Sequence, residues 1–556
     1  MNYDIVFLHP PSFYDFRKRP WFPGPIARTV HFSPAFEGIP IGLVSMAEYA
    51  ERHGYKTKIF NLAEYMLTDP RFDSEDFIRK IQARFFGVDL HFCVHSQGAL
   101  EIARRCKQHH EDSCILLGGL TASRFSNELI MNHPYIDCVI RGESEVPVLQ
   151  LLETSPNEKI PNLVYRDNNG RIKQSERHWI SQGLDEFDFT RIDLVTPRKM
   201  LTSILTELGA KQHWMIPICR GCLHNCAGCG GSRYTYLNML YRERPSFRSK
   251  EKIVEDLQRL SRQGIESVFL FMDARMGGKK YCESLLKTLS TSDIGVKFLT
   301  LELFTPGNRE FLSQLVHLNN SVRVGLSISP ESGSDEVRIA HGRPYTTESL
   351  MKTATFCREN GLGLGVFFMF GLAHETGDTL KETHELIMKL TELNLKPGSG
   401  PGIRTKTGEM LLLDPGSLAF DNPEKYGYRL LFKSLQDYIN GLSSPAWTDW
   451  LSYETEKLAR RELLELPIYF RDKLIDFYYS RDLMSKEQAE LEHAKVKMDR
   501  TILDELERIR NLKNAKKKSE RYMDLHRALK DYDRGELSAL WRLKKKLRTL
   551  HFSGTL

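Results

Sequence analysis

The sequence predicts an α/β protein in three parts: a doubly wound parallel sheet in front, a second run of βα units that forms a barrel or part of one behind it, and a helical C-terminal region. Three observations carry this. Up to residue 180, short apolar runs alternate with helical periods of about a dozen residues. The alternation resumes after Trp214, and beyond Pro415 it gives way to long charged stretches with apolar residues at helical spacing. A length of 556 residues suits three or four domains. The boundaries are placed at 1–180, a linker over 181–210, then 211–414 and 415–556.

In the front part, residues 5–9 form a short apolar strand that ends in Pro10-Pro11-Ser12. Residues 41–53 have helical spacing and stop at Gly54, a C-cap. Strands follow at 56–60, within 85–94, at 114–117 and at 138–140, with a helix over 99–109. Ligands of doubly wound sheets bind over the carboxyl ends of the strands. The loops 10–12, 91–97, 118–123 and 142–143 converge there. Residues 155–200 are polar and irregular, with a weak strand at 162–165, and read as a connector.

Behind it, strands are expected at 215–218, 268–272, 296–303, 324–329 and 363–370. Helices lie between them at 249–263, 279–288, 308–317 and 347–360. Five or six βα units in this span are fewer than the eight of a full barrel. In the last region Leu491, Val496, Ile502, Leu506 and Ile509 keep a helical period.

The composition, 41% hydrophobic and 27% charged, excludes collagen-like, low-complexity and wholly disordered chains. The longest apolar run, around 361–373, falls short of the ~20 residues of a membrane span. The N-terminus lacks a basic n-region and a small-residue cleavage site, so a cytoplasmic location is expected. The net charge of +6 is concentrated at the end, where 491–556 carry 18 Lys and Arg against 10 Asp and Glu. The rest is near neutral, and no nucleic-acid partner is expected. The basic end, with Trp541 and Leu543, reads as a solvated helix face or as a contact for an anionic membrane surface.

Ten cysteines in such a chain do not form a disulfide framework. Cys93, Cys106, Cys114, Cys138, Cys282 and Cys357 are scattered and read as small core residues. The other four lie in Cys219-Arg220-Gly221-Cys222-Leu223-His224-Asn225-Cys226-Ala227-Gly228-Cys229, directly after a strand. Thiolates there suit zinc or an iron–sulfur cluster. A structural zinc site would take all four. Cys222, Cys226 and Cys229 alone would give three ligands to one [4Fe-4S] cubane and leave its fourth iron open. Cys219 then reads as a loop thiol.

The CxxxCxxC spacing resembles the radical S-adenosylmethionine (SAM) superfamily. Two further segments are similar to that superfamily's fourth and fifth strands: Ser327-Ile328-Ser329-Pro330-Glu331-Ser332-Gly333, and Phe368-Met369-Phe370-Gly371-Leu372-Ala373-His374-Glu375-Thr376. The resemblance implies a partial (β/α)6 TIM-like barrel and SAM bound to the open iron. It implies SAM contacts from Asp273, Ser327, Glu331 and Gly371, and an electron donor of flavodoxin or ferredoxin type. The family's Gly-Gly-Glu at the second strand is replaced by Met272-Asp273-Ala274-Arg275.

The front sheet resembles the Rossmann-like cobalamin-binding domain of cobalamin-dependent radical SAM enzymes. The residues that carry this are 7–12, 39–43, 118–123 and 140–145. Cobalamin contacts are implied for Pro11, Ser12, Gly42, Gly118, Gly119, Leu120, Gly142 and Glu143. Asp89-Leu90-His91 partly echoes the Asp-x-His-x-x-Gly of some cobalamin proteins, but position 94 is Val and the segment follows a later strand. Which group lies below the cobalt stays open. Together with Val88, the nearby His95 and the string Leu413-Asp414-Pro415-Gly416-Ser417, it resembles proteins described as cobalamin (B12)-binding-domain/radical SAM-domain proteins. The resemblances cover about residues 1–400. They imply an enzyme that makes a 5′-deoxyadenosyl radical and methylates an unactivated carbon of a small-molecule or lipid-like substrate. Cyclisation, rearrangement or carbon–carbon coupling without methyl transfer is the alternative. A non-catalytic cobalamin-binding sensor is the alternative of another class.

Overall fold

The structure is a computed structural model that describes residues 2–20, 22, 24–26, 38–167, 169–198, 212–395 and 402–529. The end of the expected linker (199–210) and the basic end from residue 530, with Trp541 and Leu543, lie outside the described residues.

Five parallel strands build the front sheet: β1 (Asn2–His9), β2 (Thr57–Asn61), β3 (Gln82–Asp89), β4 (Cys114–Gly118) and β5 (Cys138–Ile140). Their order is β2-β1-β3-β4-β5, so the chain reverses direction across the sheet between β1 and β3. Both faces are covered, which is why Ile5, Val6, Phe7 and Leu8 are all buried without alternation. The stretch read as a connector contributes more than expected. β6 (Leu163–Arg166) and β7 (Ile172–Gln174) add antiparallel to β5, and β8 (Val195–Thr196) adds parallel to β2. Between them Leu184, Phe187, Phe189 and Ile192 are buried. The helix expected over 41–53 spans Ile41–Arg52, and Gly54 at φ +91° returns its amide to Glu51.

The second sheet has six parallel strands in chain order: β9 (His213–Pro217), then β12 (Ser267–Phe271), β13 (Phe298–Leu303), β14 (Arg323–Glu331), β15 (Gly363–Phe370) and β16 (Ile403–Met410). The short strands β10 (Cys219–Arg220) and β11 (Ser246–Phe247) form a separate antiparallel pair. Helices between the strands start on side-chain caps such as Ser249, Asn308 and Thr346. β14 alternates strictly, with Leu326 and Ile328 buried and Ser327, Ser329 and Glu331 half-buried on the lumen side.

The C-terminal region is helical only in part. After a short helix at Leu418–Asp421 it contains β17 (Tyr428–Leu430) paired to β18 (Tyr453–Thr455), and its long helices are Arg460–Ser480 and Lys486–Arg510. The Phe470 ring packs at a tilt against Phe370 of β15, 4.7 Å between centroids, fixing the first long helix on the barrel. The helix Leu435–Ser443 packs on Ser96–His109 of the front sheet. This region therefore binds both sheets together. Among the described residues no helix is long and apolar enough to cross a membrane.

Candidate active site

The cysteine loop leaves β9 at the carboxyl end of the second sheet. Gly221 has φ +104°, and a Cβ there would stand 2.9 Å from Pro245 Cα, so both backbone shape and space require glycine. The loop then turns its amides onto sulfur: His224 N–H donates to Cys222 Sγ and Gly231 N–H to Cys229 Sγ, each at 3.3 Å. Cys222, Cys226 and Cys229 lie within electrostatic reach of one another. Burial pushes up all three thiols, that of Cys222 to about 11. Cys219 is buried and its Sγ lies 3.6 Å from Gly221 O, turned into the loop wall. Among the described residues no three His, Cys, Asp or Glu side chains converge on one ion-sized point. Three thiols on one loop are a donor set that suits a cubane, which takes each thiolate on a separate iron.

Two remote segments clamp the loop. Ala227 N–H donates to His341 O at 3.1 Å, and Gly342 lies so close that a Cβ would meet Asn225 O at 2.2 Å. From the C-terminal side, Ala419 N–H donates to Ala227 O, and Gly230 N–H donates to Asp414 Oδ2 at 2.8 Å. Burial pushes the Asp414 carboxyl up to about 6.

The residues expected at SAM are distributed as follows. Asp273, two residues beyond β12, caps the turn Ala274–Gly277 with both oxygens engaged, by the Arg275 guanidinium and by the Phe304 amide at 2.9 Å. Ser327 faces the lumen in register with Glu302 of β13 and Gly365 of β15. Glu302 accepts from Met272 N–H at 2.7 Å, and burial raises its pKa. Glu331 pairs with Arg343, whose guanidinium also acts on the Cys226 thiol. Gly371, at φ +84°, would strike Tyr453 Oη at 2.5 Å with a Cβ. Arg343 and Glu302 carry no signal in the sequence pattern.

On the front sheet, Gly119 at φ +113° presses against His91, whose Cα a Cβ would meet at 2.6 Å. Gly118 ends β4 and accepts from Leu90 N–H at 2.9 Å, and Leu120 opens the helix Leu120–Arg124. Pro11 and Ser12 are buried, and Gly98 packs so tightly on them that a Cβ would lie 1.8 Å from Pro11 O. Gly42 sits in the first turn of Ile41–Arg52 beside open space. Flat cofactors need such bare backbone, and the loop after β4 supplies it.

Gly142 and Glu143 do something else: they join the sheets. Gly142 faces Leu240 of the second sheet's first loop region. Glu143 accepts from Arg220 Nη1 at 2.9 Å, from Arg242 Nε at 2.6 Å and from Ser181 Oγ at 2.7 Å. Arg220 also reaches Glu145 at 2.6 Å, which Ser45 Oγ supports at 2.7 Å. These charges hold Glu143 below the usual carboxylate range despite its burial. Arg220 lies between Cys219 and Gly221, so the carboxyl ends of the two sheets are tied at the cysteine loop itself. Its place inside Cys-Arg-Gly-Cys is the one sequence signal for that role; Arg242 has none.

Comparisons with known proteins agree with this division. Residues 27–152 match the B12 binding domain, and residues 216–387 match the radical SAM superfamily. The chain is 26% identical over 234 residues to the hopanoid C-3 methylase of Methylococcus capsulatus, covering 41% of each protein. It is 22% identical to the anaerobic magnesium-protoporphyrin IX monomethyl ester cyclase of Rubrivivax gelatinosus, over 62% of this chain and 61% of that one. The chain thus spans less than two thirds of either protein's length. An uncharacterized methyltransferase of Pyrococcus horikoshii is 22% identical over 64% of this chain and 74% of its own. Among solved structures, the methyltransferase TsrM from Kitasatospora setae, with cobalamin and a [4Fe-4S] cluster bound, matches with a TM-score of 0.55 at 16% identity, over 79% of this chain and 84% of that chain. The cobalamin-dependent enzyme OxsB matches with 0.54 at 14% identity, over 96% and 75%. At these identities the likeness is one of fold.

Proposed function

We propose that this chain, in which a B12 binding domain precedes a radical SAM domain, is a cobalamin-dependent radical SAM enzyme that methylates an unactivated carbon. The observation that carries the reading is the tie between Arg220 and Glu143, which sets the front sheet's ligand-binding edge over the cysteine loop. When bound, the cluster supplies one electron to SAM and the corrin carries a methyl group from SAM to the substrate.

The chain's own residues hold and orient these partners. Cys222, Cys226 and Cys229 are the cluster ligands, steadied by the amides of His224 and Gly231. Arg343, held by Glu331 beside Cys226, offers positive charge to a carboxylate such as SAM's. Asp273 fixes the floor of that site through Arg275 and the Phe304 amide, and Ser327 lines the lumen. Gly118, Gly119 and Leu120, with Pro11 and Ser12, form the edge on which a corrin would lie. Leu240 over Gly142 keeps water from the seam.

The substrate is a small or lipid-like molecule. Tryptophan is the substrate in one TsrM structure, and the hopanoid methylase by its name acts on a lipid. An external one-electron donor of flavodoxin or ferredoxin type completes the scheme, and a cytoplasmic location suits its oxygen-sensitive chemistry. The test uses cobalamin-loaded protein, dithionite and SAM with a labelled methyl group. Methylation requires both S-adenosylhomocysteine and 5′-deoxyadenosine as co-products. With a candidate substrate present, a product that carries no label although 5′-deoxyadenosine forms overturns methyl transfer in favour of a cyclisation or rearrangement.

A further inference from the structure

On the outer side of the cysteine loop the described residues form an open groove of about 560 Å³. Its apolar lining is Leu223, Leu237, Phe247 and Met276. Two of these hang directly on the cysteine segment: Leu223 follows Cys222 in the chain, and Phe247 is the register partner of Cys219. Met276 belongs to the turn Ala274–Gly277 that Asp273 caps. Leu223 and Leu237 are each 47% exposed, so the groove keeps two leucines in water.

This groove is separate from the lumen. His224, next after Leu223, meets Phe304 just past β13 instead, with ring centroids 5.4 Å apart. Ser327, Glu302, Glu331 and Arg343, the polar groups of the lumen side, do not line the groove. The segment from Cys222 to His224 thus stands between the two spaces. The rim of the groove is cationic. Arg233 and Arg244 line it, both exposed, and neither guanidinium has a hydrogen-bond or ion-pair partner among the described residues. Lys280, at the start of the helix that follows Gly277, is exposed and also unpaired among them. Against these stands Glu243, the one carboxylate among the lining residues. Half-exposed leucines ringed by free cations suit contact with an acidic protein surface.

We propose that this groove docks the protein that delivers the electron: a small acidic redox protein with carboxylates around a flavin or iron–sulfur centre. The proposal rests on the reading of Cys222, Cys226 and Cys229 as cluster ligands, and it gives the donor its place. An electron has to arrive close to the cluster without passing through the lumen where SAM is read to bind. The partner's centre is oxidised by one electron and the cluster is reduced by the same one, with no bond formed between the proteins. Leu223 and Leu237 give the partner an apolar seat against the Cys222 segment, and Arg233 and Arg244 steer and orient it.

The probe is a bacterial flavodoxin, used with the full-length reconstituted protein and two readouts. Binding to immobilised flavodoxin is followed by surface plasmon resonance. 5′-Deoxyadenosine formation is driven either by dithionite or by flavodoxin with its NADPH-dependent reductase. Wild-type binding should weaken as salt is raised. Arg233→Glu/Arg244→Glu should weaken binding and slow the flavodoxin-driven reaction by about tenfold, with the dithionite-driven rate unchanged. Glu243→Lys should tighten binding, a gain that misfolding cannot imitate. Lys497→Glu/Arg500→Glu reverses two exposed cations on the helix Lys486–Arg510 and should change neither readout. Failure of the wild type to bind, equal binding by the Arg233/Arg244 variant, or an equal loss in the Lys497/Arg500 variant overturns the docking site alone. No deoxyadenosine from the wild type even with dithionite overturns the cluster reading and the docking site with it.

Discussion

Glu375 shows most clearly how a single residue of this site responds to its surroundings. It is 1% exposed, its Oε2 accepts from the amides of Gly371 and Leu372, and burial pushes its pKa up to about 8. In the unfolded chain it titrates near the usual glutamate value of about 4.3. Between those values the folded state binds the extra proton. Stability from this group is therefore complete at low pH and falls as pH rises toward about 8, by a few kcal/mol. Glu375→Gln keeps an acceptor for both amides and cannot ionise. Its denaturant midpoint should hold steady between about pH 5 and pH 8 while the parent's declines, and a parallel decline in both would refute the assignment. The cysteines separate just as sharply. Cys222→Ala, Cys226→Ala and Cys229→Ala should each lose 5′-deoxyadenosine formation to background, and Cys219→Ala should leave it largely intact. The spacing of these cysteines is legible in the sequence because a cubane dictates it. Arg343 and Glu302 are not, since each becomes meaningful only when strands distant in sequence are laid side by side.

At the scale of elements, the cysteine loop is held by what lies far from it. Gly342→Ala puts a methyl group into Asn225 O, at a backbone angle of φ +78°. The variant should retain less iron and sulfide after reconstitution and the same amount of cobalamin; equal loss of both would mean that the whole fold has failed. Arg220→Ala would leave Glu143 and Glu145 buried without their shared cation. The cost should be about 3–5 kcal/mol in a thermal or denaturant unfolding measurement. Asp378→Ala, which breaks a fully exposed pair with Lys381, should leave the unfolding midpoint unchanged in the same measurement. Strands β1 to β5 are legible because burial on two faces writes them as unbroken apolar runs. β16 is not, because Arg404 and Lys406 interrupt its pattern. β7 and β8 are the two edges of the front sheet, only three and two residues long, and look like linker, whereas β6 between β5 and β7 already shows in the sequence as the weak strand at 162–165. The pair β17 and β18 is hidden by its brevity, three residues each.

At the scale of the whole molecule, the order of domains can be read from the sequence and the seam between them cannot. Glu143 belongs to one recognisable segment and Arg220 to another, and nothing in either string says that they touch. The C-terminal region adds to the same joint, with the 435–443 helix on the front sheet, Asp414 and Ala419 on the cysteine loop, and the 460–480 helix on β15. Two cofactor edges held face to face are the central claim. The measurement that tests it most directly is 5′-deoxyadenosine formation by anaerobically reconstituted, cobalamin-loaded protein given SAM and dithionite, with iron, sulfide and cobalt counted in the same sample. The account predicts one [4Fe-4S] cluster and one corrin per chain, with deoxyadenosine formed. Zinc in place of iron, with no corrin retained and no deoxyadenosine formed, would contradict it.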